Sequence, residues 1–464
     1  MIIGCGPAGE RAAIKAARAG KSVAVIERAQ VVGGTSVNWG TIPSKTLRET
    51  ALSLHRLTVK DLDGFHLSRP EKITVSAFMH RERMVVQREL DLINDTLDKN
   101  RIEVLHGSAR FVDEHTVALV GVDGQSRMRV EGEVILIAVG TTPNRPDDVN
   151  FDGDVVFDSN TILKMPRMPR SMIVLGAGVV GVEYAATFSA LGIEVTLVDT
   201  RAELLPYMDR EIAGILEREM RRLGVVFIHD DHYAHITRKE GDPPQVCCET
   251  RQGNRLEADV MLYSVGRDGN TAGLGLETVG IVPDKRGLLE VNAHYQTCHA
   301  HIYAVGDIVG YPALASTSME QGRQAISHAF SLDRPMIDTE CLPFAIYSIP
   351  EVSYIGETEE SLRKKGVEYV AGKGNYNRNP RGQIVGDTGG LLKLLFARES
   401  EKLLGVHIVG TNASELIHTG QALLRSGATA LQITEMPFNY PTLSDLYRHA
   451  ALRGMQKLKR LKEH

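Results

Sequence analysis

Residues 2–27 read IIGCGPAGERAAIKAARAGKSVAVIE, and residues 174–199 read VLGAGVVGVEYAATFSALGIEVTLVD. One offset of 172 residues relates them: Gly4 corresponds to Gly176, Gly6 to Gly178, Gly9 to Gly181, Gly20 to Gly192 and Glu27 to Asp199. Each copy runs from an apolar strand through G-x-G-x-x-G into an alanine-rich helix. A glycine follows near the helix end, then a second strand closed by an acid. This is the pattern of a dinucleotide-binding β-α-β unit. The first glycine permits the tight turn, the second lets the backbone approach a pyrophosphate, and the third lets helix pack on sheet. The helix N-terminus then presents unpaired N–H groups and partial positive charge to the phosphates. The acid, 23 residues after the first glycine in both copies, is spaced to accept from ribose hydroxyls. A single G-x-G-x-x-G is often only a glycine-rich turn. Two complete copies with matching strand, helix and acid argue for two dinucleotides on one chain.

The first copy is short at its start. Only Met1 to Ile3 precede Gly4, against about 5–6 residues in an ordinary strand. We therefore expect a further N-terminal stretch ahead of Met1.

The whole chain has 464 residues, which at about 150 residues per domain suggests about three. A hydrophobic fraction of 43% and a charged fraction of 24% are ordinary globular values, which excludes disordered, collagen-like and coiled-coil classes. Lys+Arg 53 against Asp+Glu 58 gives a net charge of −5, so no basic excess points to nucleic acid. No apolar run reaches membrane-spanning length. The N-terminus lacks the basic start and apolar core of a signal peptide. The five cysteines, Cys5, Cys247, Cys248, Cys298 and Cys341, form no C-x-x-C pair and no zinc spacing. We expect no metal, no membrane, and a reducing, cytoplasmic setting.

Other segments sort by pattern. Residues 48–60 and 75–100 are charged and amphipathic and predict helices. VILIAVGTTP (134–143) predicts a buried strand entering a turn, and residues 255–268 repeat that design. Residues 301–330 predict a strand, a Gly-Asp turn and a helix. From about 340 the pattern becomes mixed, with strands in PEVSYIGET and LLKLLFARESEKLLGVHIVG and helices at 412–426 and 442–462. The basic end of the last helix complements the helix dipole.

Together these residues resemble the two-dinucleotide-binding-domain flavoproteins, the pyridine nucleotide-disulfide oxidoreductase family, over essentially the whole chain. Five motifs stand in family order: GCGPAG with Glu27, GTSVNWGTIPSKTL (34–47), AVGTTP (138–143), GAGVVGVE (176–183) with Asp199, and YAVGD (303–307). SIPEVSYIG and FNYPTLSD resemble the family's interface domain. The resemblance implies an α/β fold with two Rossmann-like FAD- and NAD(P)-binding domains and an α+β dimerisation domain. Its parts are an FAD domain at 1–145, an NAD(P) domain at 146–268, a resumed FAD and central domain at 269–335, and a dimerisation domain at 336–464. A homodimer, or a higher oligomer, is implied.

The departures matter as much. The family's disulfide reductases carry C-x-x-x-x-C within 34–47; Ser36 and Thr41 stand at those positions here. A hydroxyl cannot relay electrons as a thiol pair does. The reductases' C-terminal His-Glu base is also replaced, by Tyr440 and Asp445. WGTIPSK (Trp39 to Lys45) and FNYPT (Phe438 to Thr442) are instead similar to members that exchange hydride between nicotinamide nucleotides, although those keep a cysteine at the Ser36 position.

By resemblance, FAD takes the first fingerprint, with Gly4, Gly6 and Gly9 at its pyrophosphate and Glu27 at its ribose. Gly34, Gly140, Gly306 and Asp307 complete that site, with Asp307 on the ribityl chain. Lys45 lies near the flavin, where positive charge favours the reduced ring, and pairs with Glu183. Thr41 lies over the flavin as a neutral spacer, and Ser36 is inert. NAD or NADP takes Gly176, Gly178 and Gly181, with Gly266 nearby. Asp199 favours the 2′-hydroxyl of NAD, while Arg201 suits the 2′-phosphate of NADP. Tyr440 packs at the interface or shapes substrate access, and His418 and His449 are structural. The implied reaction is hydride transfer from NADPH to NAD+ through FAD, by alternation at one site. An NAD(P)H diaphorase or quinone reductase of the same fold, or a non-catalytic flavin-binding redox sensor, remain open alternatives.

Overall fold

The computed structural model describes residues 1–59, 73–121, 123–332 and 341–463. Its frame is two parallel sheets of one design. The first has the strand order Ile302–Ala304, Ile135–Ile137, Ile2–Ile3, Ala24–Glu27, Glu103–His106. The second runs Val225–Ile228, Glu194–Val198, Ser171–Leu175, Val260–Tyr263, Val156–Asp158. In each, the strand before the glycine fingerprint is central. Ile2 pairs with both Val25 and Leu136, and Met172 with both Val195 and Val260. Their apolar runs are buried on both faces, as parallel sheets require. The short first strand still holds its central place with two residues, Ile2–Ile3.

Each sheet also carries a three-stranded antiparallel meander. One is Ser108–Phe111, Thr116–Val120 and Ser126–Glu131; the other is Tyr233–Lys239, Gln245–Thr250 and Arg255–Ala258. The chain passes from one sheet to the other and back through a ribbon in which Thr141–Pro143 pairs antiparallel with Arg267–Gly269. The C-terminal part is an antiparallel sheet, in order Phe344–Ile346, Val352–Gly356, Leu403–Val409, Leu391–Ala397, Tyr369–Asn375. Helix Leu446–Lys462 lies so close on it that a Cβ at Gly372 would stand 2.0 Å from the Ala450 carbonyl oxygen.

The helix expected over 48–60 begins earlier, at Thr41, and runs to Val59; residue 60 lies outside the described residues. Pro43 disguises the start. In a first turn proline removes only an N–H that has no intrahelical partner. The helix Glu359–Lys365 and strand Tyr369–Asn375 were not foreseen, because glycines at 366, 372 and 374 mask the alternation of the strand. The expected boundary at 335/336 also falls outside the described residues. Among these residues no helix is long and apolar enough to cross a membrane.

A buried ionic cluster pins the second sheet to the C-terminal one. Asp209 caps helix Arg210–Leu223 by accepting from the Glu211 and Ile212 N–H groups. Lys393, on strand Leu391–Ala397 and only 1% exposed, donates to both Asp209 oxygens at 2.9 and 2.8 Å. It also meets Glu211 at 3.0 Å, and Glu359. Burial alone would lower the Lys393 amine, but Asp209 and Glu359 outweigh it and raise its pKa. Burial likewise works to raise Asp209 and Glu359, yet both end below the ordinary carboxylate range, held there by Lys393 with His407 beside Asp209 and Tyr369 beside Glu359. Their stabilising contribution is therefore present above about pH 4 and is lost as pH falls through the lowered folded values. Lys393→Met leaves three carboxylates without their shared cation. We expect it to cost about 3–5 kcal/mol, read as a lower midpoint of chemical unfolding than in the parent protein.

Candidate functional site

A cleft of about 370 Å³ opens at the C-terminal ends of the first sheet's strands, where open α/β sheets bind ligands. Gly4, Gly6, Glu27, Gly34, Ser36, Thr41, Gly140, Gly306 and Asp307 all line it. Gly9 does not. It sits behind the turn, where a Cβ would stand 1.9 Å from the Gly4 carbonyl oxygen. Gly4 has φ +100°, and a Cβ there would meet the Ala138 carbonyl oxygen at 2.4 Å. Gly6 is open on the cleft side, its nearest neighbour being Gly34 Cα at 3.7 Å. The helix Pro7–Arg18 that follows has Pro at its first position and no side-chain cap, so its N–H groups face the cleft.

Glu27 is held by two backbone donors, Cys5 N–H on Oε2 and Ala29 N–H on Oε1, both at 2.8 Å. A carboxylate has about four acceptor sites, so each oxygen keeps capacity for a hydroxyl. Thr141 on the cleft wall accepts from the half-buried Arg267, at its Oγ1 and its carbonyl oxygen, at 2.8 Å each. Burial pushes the Arg267 pKa below its usual value, against the pull of Asp307 and Asp158. Among the described residues, Asp307 itself receives two long contacts, 3.4 Å each, from Thr141 and Ser318. The Asn160 Oδ1, on the cleft wall, is buried without a hydrogen-bond partner among the described residues. A long groove with a bare glycine turn, an underused carboxylate at each end and an orphaned amide oxygen fits an extended dinucleotide.

The second unit repeats this geometry closely. Gly176 has φ +94°, and a Cβ at Gly181 would again stand 1.9 Å from the carbonyl oxygen, here that of Gly176. A Cβ at Gly178 would meet nothing within 4 Å, leaving space for a phosphate. Gly266 has φ +84° and stands near Arg286 and Asn144 rather than at the fingerprint. Asp199 is held by the Ala177 N–H at 2.5 Å and the Arg201 N–H at 2.8 Å, the same two positions that hold Glu27. The Arg201 side chain does not reach outward for a phosphate. It folds back on Asp199, Nε to Oδ1 at 2.8 Å and Nη2 to Oδ2 at 2.7 Å. Burial would raise the Asp199 pKa, but the Arg201 hydrogen bonds outweigh it and lower it.

Lys45 links the two units. Its Nζ donates to Glu183 Oε2 at 2.7 Å, joining helix Thr41–Val59 to helix Val179–Ala190. The Glu183 Oε1 accepts the Tyr347 N–H at 2.9 Å, and Lys45 lies 5.0 Å over the Tyr347 ring. Sequence reading did not single out Tyr347, Asn160 or Arg267. Tyr347 acts through its backbone and ring face, which leave no mark in a motif. Thr41, at the start of the same helix as Lys45, faces the cleft with Ser36. None of the five cysteines is in a disulfide. Burial pushes Cys5 and Cys248 up to about 12, with Glu27 adding to the effect at Cys5 and Cys247 at Cys248. Among the described C-terminal residues, Tyr440 is 75% exposed. His449 meets Asp445 at 3.3 Å and His418 meets Gln421 at 3.1 Å.

Residues 1–322 match the family described as pyridine nucleotide-disulphide oxidoreductase, and residues 342–451 match its dimerisation domain. The chain belongs to this family. It is 42% identical over 463 residues to a protein of Mycobacterium tuberculosis named soluble pyridine nucleotide transhydrogenase, covering 100% of this chain and 98% of that one. Proteins of that name from Chromohalobacter salexigens and Escherichia coli are each 40% identical, with 99% and 98% covered. Among solved structures it is similar to LpdA of Mycobacterium tuberculosis, with TM-score 0.90, 27% identity, and 97% and 98% of the two chains covered. It is also similar to RclA of Escherichia coli, described as an HOCl-induced flavoprotein disulfide reductase, with TM-score 0.87, 26% identity and the same coverage.

Proposed function

We propose that this chain is a soluble, FAD-dependent transhydrogenase that moves hydride between NADPH and NAD+ without a redox-active disulfide. The observation that carries the reading is the Lys45–Glu183 contact. It ties the cleft to the second fingerprint helix, on a segment that has Ser36 and Thr41 where the disulfide reductases have their cysteines. FAD, when bound, supplies the two-electron carrier that takes hydride from one nucleotide and gives it to the other.

The chain's own residues bind and align. Gly4, Gly6, Gly9 and Gly34 admit the FAD pyrophosphate to the first helix end, Glu27 holds its ribose, and Gly140, Gly306 and Asp307 hold the ribityl end. Gly176, Gly178, Gly181 and Gly266 do the same for NAD or NADP, with Asp199 and Arg201 at its ribose. Lys45 places a positive charge beside the flavin and is held there by Glu183; Thr41 is a small neutral wall. With FAD bound, no residue of the chain would need to move a proton; the residues would bind and align, and the cofactor would supply the hydride chemistry. The domains divide as 1–145, 146–268, 269–335 and 336–464, and the C-terminal part pairs two copies as a homodimer in the cytoplasm, where exchange between the two nucleotide pools serves redox homeostasis.

One nucleotide site serving donor and acceptor in turn requires ping-pong kinetics. Initial-rate plots of NADPH against an NAD+ analogue are expected to be parallel; intersecting lines would sink the reading. Thiol titration separates it from disulfide reduction. The NADPH-reduced, FAD-loaded protein is expected to show the same thiol count as the oxidised one, and two new thiols would point to a disulfide.

A further inference from the structure

The 172-residue repeat gives the second ribose site an internal control. Position 29 of the first unit is alanine, and its equivalent in the second is Arg201. The backbone donors to the two acids agree, although one acid is Glu27 and the other Asp199. Each accepts the N–H that follows the first glycine, Cys5 or Ala177, and the N–H two residues beyond the acid, Ala29 or Arg201. The side-chain donors differ at one position. Glu27 receives two donors, whereas Asp199 receives four: Ala177 N–H and Nη2 on Oδ2, and Arg201 N–H and Nε on Oδ1. Four donors fill the acceptor capacity of a carboxylate. In this arrangement Asp199 has nothing left to offer a ribose hydroxyl.

We propose that Arg201 is a removable cap on Asp199, which lets one ribose subsite accept both 2′-phosphate and 2′-hydroxyl nucleotides. This rests on the reading of the second unit as the NAD(P) site. With the cap in place the carboxylate is neutralised, so a 2′-phosphate meets no bare negative charge. The guanidinium edge that Asp199 does not engage, at Nη1, is then available to the phosphate, and the Arg201 side chain as a whole is 39% exposed. A guanidinium suits this double duty because its planar fork can bond two oxygens while presenting further donors. For a 2′-hydroxyl the cap must swing away, since the ribose then needs the sites that Nε and Nη2 occupy. The NAD form is thus bound against a competitor carried by the protein itself. The first unit, with Ala29, has no such competitor and would be closed to a 2′-phosphate by the charge of Glu27.

The consequence is asymmetric. Removing the arginine side chain should weaken one nucleotide and tighten the other, whereas a simple phosphate-binding arginine would weaken one and leave the other unchanged. The test is isothermal titration of the FAD-loaded protein with ADP-ribose and with its 2′-phosphate, which differ only at the position in question and involve no turnover. Arg201→Ala keeps the backbone N–H that holds Asp199, and FAD content checks that the fold survives. We expect its Kd for the 2′-phosphate form to rise about 10- to 100-fold and its Kd for ADP-ribose to fall about two- to fivefold. Arg201→Lys, which cannot bridge both oxygens, should tighten ADP-ribose in the same direction while keeping part of the 2′-phosphate affinity. Unchanged or weaker ADP-ribose binding in Arg201→Ala would overturn the cap. Binding of neither probe by the parent protein would overturn the nucleotide-site reading beneath it.

Discussion

Gly9→Ala is expected to yield a folded but colourless protein, and Gly181→Ala a yellow one that NADPH bleaches very slowly. The two substitutions are the same change made in two copies of one turn. In each, the new Cβ would lie 1.9 Å from the carbonyl oxygen of the first fingerprint glycine, and at Gly181 also 2.8 Å from Ser264 Oγ. Neither obstacle is a flexible side-chain tip; both carbonyls belong to the turn itself. Helix and strand must part by about 1 Å or more, and a misplacement of that size costs about 100-fold when a reacting group depends on it. The loss falls on whichever dinucleotide that turn cradles. Flavin absorbance and NADPH titration, with circular dichroism as the fold control, read both effects at once. A Gly9→Ala protein that stays yellow, or a Gly181→Ala protein reduced at the parental rate, would reverse or remove the assignment of the two units.

Lys45→Met is expected to slow flavin bleaching by saturating NADPH about 100-fold and to shift the flavin potential to a more negative value. The side chain is a quarter exposed, but its partner Glu183 is 7% exposed. Among the described residues, removing the ammonium takes the cation from that carboxylate and leaves it the Tyr347 N–H. With FAD bound as proposed, the flavin would then face an uncompensated negative charge in place of an ion pair, which disfavours taking up electrons. Glu183→Gln in the same background should restore part of the rate, because it removes that charge. Anaerobic stopped-flow and a potentiometric titration measure the two quantities separately. A rate within threefold of the parent protein would show that Lys45 serves only to join the helices.

Much of this arrangement is legible in the sequence, because the residues concerned obey short-range rules. The fingerprints fix a turn within six residues, and the repeat of Gly4, Gly6, Gly9 and Glu27 at Gly176, Gly178, Gly181 and Asp199 made the two sheets legible. The pairing of Lys45 with Glu183, 138 residues apart, followed from resemblance and not from any local pattern. What escaped were features that depend on backbone groups or on where a long side chain turns. Tyr347 reaches Glu183 through its N–H, an atom that every residue but proline carries. Asn160 gains its importance from having no partner. Arg201 was legible as a cation beside an acid, but its orientation was not; the sequence allows it to face the phosphate or the carboxylate, and only the geometry distinguishes them. The start of the Lys45 helix at Thr41 was hidden by Pro43, which tolerates a first turn as readily as a loop.

The Asp209–Lys393 contact bears on how this chain can be rebuilt. Its two members lie on different parts, one capping a helix of the nucleotide-binding unit and the other in the middle of the C-terminal sheet. A chimera that grafts residues 146–268 from a relative onto this scaffold imports a new residue at 209 but keeps Lys393, Glu359 and the surrounding sheet. Where the donor lacks an acid there, an ammonium 1% exposed loses its bidentate partner, and the graft is burdened by a charge mismatch outside the cleft. Recombination of the two parts is therefore constrained by a pair that does not line the cleft, and successful exchanges should carry both positions together.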